Sequence, residues 1–279
     1  MYSNLNAGAL VGGVDFEQSV QLAIDNGFGG VSPDVGYLTS LSDSDLAALR
    51  SRLADHNLQW GAPGLGVDPG GADETVATQL AELRKQAAVL ENAGVSRSVR
   101  YLWPTSDDLT YDQNLELHAS RIAQIGGILS EHGIRLGLEY VGPKTLWSTG
   151  KHPFVRTLAQ TRELIAATGA SNVGICLDTF HWFTAGESAD DLRTLTDADV
   201  VSADVNDAVT GVPADEQLDQ ERELPGRTGV INVAAFIQAL RDIGYSGPVQ
   251  VEPFNAALRA LEPAQAIAET AESLKAALG

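Results

Sequence analysis

Short continuous apolar runs alternate along the chain with longer segments in which apolar residues recur every three or four positions. The runs are typical of strands buried on both faces of a parallel sheet, and the second spacing is typical of amphipathic helices. The runs predict eight strands, at residues 5–11, 30–35, 58–63, 98–103, 135–140, 173–178, 200–204 and 248–252. The helical spacing predicts eight helices, at residues 16–26, 42–56, 73–93, 111–132, 155–168, 188–196, 232–243 and 263–278. Eight strand–helix units in this order predict one (β/α)8 TIM-barrel domain, residues 1–279, in preference to an open doubly wound sheet.

The last four predicted strands each end on a carboxylate. These acids are Glu139, Asp178, Asp204 and Glu252. A single acid at a strand end usually caps a helix or hydrogen-bonds a loop, and we expect Asp207 to brace the loop after its strand in this way. Four acids on consecutive strands are different, because their strand ends meet at one point easily only if the sheet closes into a barrel. We therefore expect a shared site at the carboxyl ends of the strands.

Four crowded carboxylates repel one another, so the site needs a neutralising cation. Oxygen-only ligands favour one divalent metal, Mn²⁺ or Mg²⁺, with Co²⁺ as a further candidate, over Zn²⁺. Such a metal can hold two neighbouring oxygens of a sugar-like substrate and acidify the C–H beside a carbonyl. A carboxylate on each face of the substrate could then move the proton, which is the enediolate chemistry of isomerisation, epimerisation or β-elimination.

Composition narrows the class of protein. The 279 residues are 44% hydrophobic, which is ample for one large core, and no apolar run approaches the length of a membrane span. The N-terminal residues have neither the basic region nor the apolar core of a secretory signal, so we expect a cytoplasmic protein. The one cysteine, Cys176, lies within an apolar strand and is expected to be a small buried hydrophobe. A net charge of -19 disfavours nucleic acids and anionic membranes as partners and leaves a small molecule as the expected one.

Several motifs are similar to those of a known family. They are Gly137-Leu138-Glu139-Tyr140, Leu177-Asp178-Thr179-Phe180-His181, Asp204-Val205-Asn206-Asp207, Arg222-Glu223-Leu224-Pro225-Gly226 and Val251-Glu252-Pro253. With them, nearly the whole chain resembles the xylose isomerase-like barrel superfamily of sugar isomerases and epimerases. The resemblance implies that Glu139, Asp178 and Glu252 bind the metal and that both glutamates shuttle the proton. It also implies that His181 and Arg222 hold substrate oxygens.

One position departs from the family pattern. Many members carry His where this chain has Asp204, so the resemblance implies an all-carboxylate metal site of Glu139, Asp178, Asp204 and Glu252. That set moves the expected metal further toward hard cations and weakens a simple ketose 3-epimerase assignment.

Three further residues are candidates for substrate binding. Trp103 follows the fourth strand, where it forms either a sugar-stacking wall or loop packing. Lys144 either offsets the acidic mouth or binds a substrate anion, and His152 lies in the loop after the strand of Glu139, from which it could reach the site.

The leading interpretation is a metal-dependent isomerase or epimerase acting on a small sugar, ketose or cyclitol. The second is a lyase of the same superfamily, a keto-inositol or dehydroshikimate dehydratase or the catalytic subunit of a 3-oxo-glycoside C-deglycosidase. A DNA-repair endonuclease is disfavoured by the negative charge, and a non-catalytic sugar-binding protein is disfavoured by the intact pair of glutamates. A homo-oligomer and a hetero-oligomer with a small subunit both remain open.

Overall fold

Eight parallel strands form one curled sheet in the computed structural model, which describes residues 1–279, and the predicted TIM-barrel fold is confirmed. The strands of the chain are β1 (Tyr2–Leu5), β2 (Gly30–Val31), β3 (Gln59–Trp60), β4 (Arg97–Leu102), β5 (Thr105–Ser106), β6 (Arg135–Tyr140), β7 (His152–Pro153), β8 (Val173–Asp178), β9 (Val200–Asp204) and β10 (Pro248–Gln250). The order in the sheet is β3-β2-β1-β10-β9-β8-β6-β4. The ring closes where Val99 of β4 pairs in parallel with Gly64, with hydrogen bonds of 2.9 Å from Val99 N to Pro63 O and from Leu65 N to Val99 O.

Helices connect the strands around the outside of the barrel. They are α1 (Ala7–Leu10), α2 (Phe16–Asp25), α3 (Val35–Ser40), α4 (Asp43–Asp55), α5 (Asp73–Ala93), α6 (Tyr111–Glu131), α7 (Lys144–Trp147), α8 (Leu158–Thr168), α9 (Thr179–Thr184), α10 (Ala189–Leu192), α11 (Val233–Asp242), α12 (Ala256–Arg259) and α13 (Pro263–Leu278), with a 3-10 helix at Asp197–Asp199. No helix in the structure is both long enough and apolar enough to cross a bilayer.

β6, β8 and β9 match their predicted bounds, whereas β4 begins and ends one residue earlier than predicted and β10 ends at Gln250 instead of Glu252. All residues of β8 and β9 are buried, which explains why both appear in the sequence as continuous apolar runs rather than alternating ones. Two helices elsewhere in the chain have clear end signals: Asp15 caps α2 in a capping box, and Gly94 ends α5 in the left-handed conformation at φ 86°.

The first strand was predicted in the wrong place. The strand is Tyr2–Leu5, and most of the predicted run 5–11 forms α1 instead. Ala7 and Leu10 are both buried, and their separation of three positions fits one helical turn as well as it fits a short apolar strand. The predicted second and third strands are too long. Each prediction included a proline, Pro33 or Pro63, and proline has no backbone N–H to donate to a sheet.

Other differences lie at the carboxyl ends of the strands. Sequence reasoning missed α9, which begins directly after Asp178, as well as α7, α12 and the two-stranded antiparallel ribbon of β5 and β7. It also started α8 at residue 155 instead of 158, where the side chain of Thr157 caps the helix. The short helices α7, α9 and α12 and the ribbon of β5 and β7 form the rim of the barrel mouth.

Candidate active site

Strand register brings the four predicted acids together. Glu139 on β6 pairs with Cys176 on β8, and Asp178 on β8 pairs with Asp204 on β9. Glu252 follows β10, the neighbour of β9 on the other side. One carboxylate oxygen from each of the four acids lies within 4.8 Å of those of the other three.

Asp178 combines two structural roles. Its Oδ1 accepts the N–H groups of Phe180 (2.6 Å) and His181 (2.9 Å), which caps α9 and fixes the direction of that helix. Its Oδ2 accepts from Asn206 Nδ2 (2.8 Å) and from Arg222 NH1 (3.2 Å). These four hydrogen bonds hold the buried carboxylate in one orientation.

Two of the acids have unsatisfied oxygens. Glu139 Oε1 and Asp204 Oδ1 are buried and have no hydrogen-bond partner. Buried polar atoms are nearly always satisfied, so each orphan oxygen calls for a missing partner. Two orphan oxygens inside an oxygen-only group of four acids fit a hard divalent cation.

The same crowding shifts the proton affinities of the acids. Burial raises the pKa of Glu139 well above its usual range, and the charges of Glu252, Asp204 and Asp178 add to this effect. Burial also raises the pKa of Asp204, and it raises the pKa of Glu252 to about 7. The crowding of these carboxyl groups therefore favours a cation between them.

Arg222 is the only cationic side chain that lines this cavity. Its side chain is 1% exposed, and it donates from NH2 to Asp219 Oδ1 (2.8 Å) as well as to Asp178, while NH1 lies 3.5 Å from Glu252 Oε2. The rings of Phe180 and Phe254 lie within 5 Å of its guanidinium carbon, at 4.8 and 4.7 Å. Burial opposes its charge, but the neighbouring carboxylates hold the pKa of Arg222 above its ordinary value.

His181 lies at the same rim. Its Nε2 is 3.7 Å from Glu139 Oε1 and 3.9 Å from Asp219 Oδ1, and its Nδ1 faces the N–H of Gly142 at 3.4 Å. Burial lowers the pKa of His181, which favours the neutral ring. A neutral imidazole in this position can donate a hydrogen bond to a substrate oxygen or accept one from a substrate hydroxyl.

A cavity of about 310 Å³ opens above the acids. Its lining includes Glu139, His181, Arg222, Glu252, Trp103 and Tyr101. Two other candidates do not line it: Lys144 Nζ forms an exposed ion pair with Asp215 at 3.1 Å, and His152 pairs through its backbone with Ser106 in the ribbon of β5 and β7.

Three residues of the site were missed from sequence. Asn206 bridges two of the acids, because its Nδ2 donates to Asp178 and its Oδ1 accepts the N–H of Glu252 at 2.9 Å. Its position two residues after Asp204 is a signal that could have found it. Asp219 precedes Arg222 by three residues in a loop, and Tyr101 is opposite Glu139 in the register of β4 and β6; neither position carries a comparable signal.

Asp207 and Cys176 have the structural roles expected of them. Asp207 accepts the N–H groups of Ala208 and Ile231 on Oδ1 and those of Thr228 and Gly229 on Oδ2, so it braces the loop after β9 as predicted. Cys176 is buried beneath the acids, and burial raises the pKa of its thiol.

The chain matches known proteins along most of its length. The sequence model of the xylose isomerase-like TIM barrel family matches residues 20–277. The inosose isomerase of Halalkalibacterium halodurans is 29% identical over 148 residues, which are 52% of this chain and 49% of that protein. The L-ribulose 3-epimerase of Mesorhizobium japonicum is 27% identical over 222 residues, 77% of this chain and 68% of that protein. The chain thus spans about half the length of the first of these relatives.

Solved structures share the fold. A xylose isomerase domain protein from Alicyclobacillus acidocaldarius is 28% identical with a TM-score of 0.84, over 96% of this chain and 95% of that one. The IOLI protein, whose crystal structure contains a zinc atom, is 21% identical with a TM-score of 0.83, over 100% and 98% of the two chains.

Proposed function

Because this chain belongs to the xylose isomerase-like TIM barrel family, we propose that it is a divalent-metal-dependent isomerase or epimerase of a small sugar or cyclitol. The observation that carries the proposal is the placement of Glu139 and Glu252. Both line one cavity, and β8 and β9 lie between their strands in the sheet, so the two glutamates flank the site from opposite sides.

The four acids Glu139, Asp178, Asp204 and Glu252 would hold the metal. The orphan oxygens of Glu139 and Asp204 support this ligand set, and its chemistry favours Mn²⁺ or Mg²⁺, with Co²⁺ as a further candidate. When bound, a divalent cation polarises a substrate carbonyl and stabilises the negative charge that develops on its oxygen.

The side chains of this site divide the remaining work. One glutamate takes the proton from the carbon beside the carbonyl. Epimerisation returns a proton from the other glutamate to the opposite face of the same carbon. Isomerisation returns it to the former carbonyl carbon, while the proton of the neighbouring hydroxyl moves to the former carbonyl oxygen. Arg222 and the neutral ring of His181 hold substrate oxygens in the cavity. Asn206 keeps Asp178 and Glu252 at a fixed separation, because it bonds to both.

The similarity to an inosose isomerase and an L-ribulose 3-epimerase supports this reaction class, since both names describe the isomerisation or epimerisation of a polyhydroxy ketone. A lyase begins with the same proton removal, so the product has to distinguish the two. An isomerase or epimerase returns the proton to carbon, whereas a lyase gives an unsaturated product or a released aglycone.

Proton exchange at carbon tests the proposal. The Mn²⁺-loaded enzyme is incubated in D₂O with a panel of keto-sugars and keto-cyclitols, and NMR follows deuterium at the carbon beside the carbonyl together with any new product. Glu139→Gln and Glu252→Gln nearly preserve shape but remove the base, so each should slow turnover about 10²–10⁴-fold. Glu216→Gln, an exposed site in the loop after β9, removes the same charge and should turn over like wild type. Near-wild-type turnover in both active-site variants would refute the two-glutamate mechanism.

A further inference from the structure

Cys176, the single cysteine of the chain, lies beside two of the acids without belonging to the four-carboxylate set. Its Sγ and one carboxylate oxygen each of Glu139 and Asp204 lie within 4.8 Å of one another. The cysteine is 1% exposed. Packing explains a small buried side chain at this position. It does not explain why the sulfur shares one group of potential metal ligands with two carboxylates.

The strand register brings these three side chains together. Glu139 on β6 lies opposite Cys176 on β8, and Cys176 lies opposite Ser202 on β9. Asp178 and Asp204 follow Cys176 and Ser202 by two positions on the same strands. Side chains two positions apart point to the same face of a strand. Cys176 therefore points into the barrel, one layer of side chains below Asp178.

The two orphan oxygens of the site belong to the same two acids. Glu139 Oε1 and Asp204 Oδ1 are buried without a hydrogen-bond partner, whereas both oxygens of Asp178 accept hydrogen bonds. Asp204 is 4% exposed. A cation held among the four acids can satisfy these two oxygens, and so can a cation that lies lower, beside the thiol. The lower position differs in offering sulfur as a third ligand.

A thiolate with two carboxylates selects different ions from a set of four carboxylates. Mn²⁺ and Mg²⁺ prefer oxygen ligands, whereas thiolate sulfur favours softer ions such as Zn²⁺. Around a tetrahedral Zn²⁺, with about 2.3 Å to sulfur and about 2.1 Å to oxygen, neighbouring ligand atoms lie roughly 3.5 Å apart. The three atoms here are already within 4.8 Å of one another, so they need to close by no more than about 1.3 Å.

We propose that Glu139, Cys176 and Asp204 form a second cation position, below the four-acid position, that takes a thiophilic divalent ion such as Zn²⁺ or Cd²⁺. Cys176 binds the ion as the thiolate, and its proton is released to solvent. The two positions share two acids, so a soft ion in the lower position displaces a hard ion from the upper one. The lower site goes beyond the proposed function, and only its competition with Mn²⁺ rests on the four-acid ligand set proposed there.

A Cd²⁺ titration of the metal-free protein tests the lower position. A Cd²⁺–thiolate bond gives a charge-transfer band in the ultraviolet, and the chain has a single cysteine, so the band reports on Cys176 alone. We expect the band to saturate at one Cd²⁺ per chain, and we expect Cys176→Ser to abolish it. Mn²⁺ and Mg²⁺ should give no band. Ser202→Ala is the matched control, because Ser202 lies opposite Cys176 and is 1% exposed but is not one of the three ligands; its band should be unchanged.

The ratio of Mn²⁺ to Cd²⁺ affinity, measured by competition dialysis, separates the two positions. Glu252 belongs only to the four-acid set, and Cys176 belongs only to the lower one. The ratio should fall at least about tenfold in Glu252→Gln and rise at least about tenfold in Cys176→Ser, since even residues that only orient a ligand change metal affinity by about that factor.

Four results would each overturn the proposal. They are Cd²⁺ bound without a charge-transfer band, no Cd²⁺ bound at all, affinity ratios that do not move in opposite directions in the two variants, and a band that appears only as the circular dichroism of the folded chain is lost. The titration uses no substrate. Its failure and a failure of the deuterium exchange on keto-sugars are therefore separate results.

Discussion

Replacing Arg222 by Met should destabilise the metal-free protein strongly. Met is of similar length and can still contact the rings of Phe180 and Phe254, so the change mainly removes charge and hydrogen bonds. The side chain is 1% exposed and contacts carboxylates of Asp178 and Asp219 that are 0% and 15% exposed. Removing one partner of a buried ion pair typically costs about 3–5 kcal/mol, and we expect a loss of free energy of unfolding in that range.

Urea denaturation in EDTA at pH 7 and pH 5 measures the loss. Burial raises the pKa values of Glu139, Asp204 and Glu252 and the charge of Arg222 opposes this, so without Arg222 these three pKa values lie further above their unfolded values. The native state then binds more protons than the unfolded state, and stability falls as pH rises. The loss should therefore be larger at pH 7 than at pH 5. Saturating Mn²⁺ should recover part of it, since a ligand at 100 times its Kd adds about 2.7 kcal/mol to the native state.

The control is Arg227→Met. Arg227 forms an ion pair with Glu269 at 3.4 Å, but the two side chains are 54% and 37% exposed. Surface pairs of this kind contribute at most about 1 kcal/mol, so this variant should unfold almost like wild type. A loss below about 1 kcal/mol for Arg222→Met in EDTA at pH 7 would refute the view that Arg222 neutralises the acids.

Two further substitutions distinguish residues that bind the metal from residues that bind the substrate. His181→Ala should lose turnover but keep its Mn²⁺, measured by elemental analysis after desalting; loss of the metal would make the imidazole a ligand instead. Asp204→His replaces a hard oxygen by an imidazole and should raise the ratio of Zn²⁺ to Mn²⁺ affinity at least about tenfold in competition dialysis. An unchanged ratio would show that Asp204 does not contact the ion.

The fold was predictable where burial leaves a clear pattern. β6 and β8 have the bounds expected from their apolar runs, and β9 ends on Asp204 as predicted. β1 was misplaced because a run of buried apolar residues can be one turn of helix as easily as a strand. α9 was missed because its signal is the cap supplied by Asp178, and sequence reasoning assigned that residue only to the site.

The candidate site was predictable only as far as it depends on strand ends. Acids at the ends of consecutive strands can be recognised in the sequence as a possible site, because a barrel brings those strand ends together. The position of Asp219 depends on the path of the long loop after β9, which has no periodicity, and the fold alone brings it to Arg222. Tyr101 looks like an ordinary strand aromatic, and only the curl of the sheet places it at the cavity beside Glu139.

The strands of the barrel are unequal in length, and this inequality bears on how the protein could change its substrate. β4, β6, β8 and β9 have five or six residues and follow one another in the sheet, whereas β10, β1, β2 and β3 have two to four. Three of the acids lie on the long strands. The fourth, Glu252, follows a short strand but is tied to the long ones through its N–H bond to Asn206. Mutation, insertion or loop exchange after β1, β2 and β3 can therefore reshape one side of the mouth and leave the four acids in place.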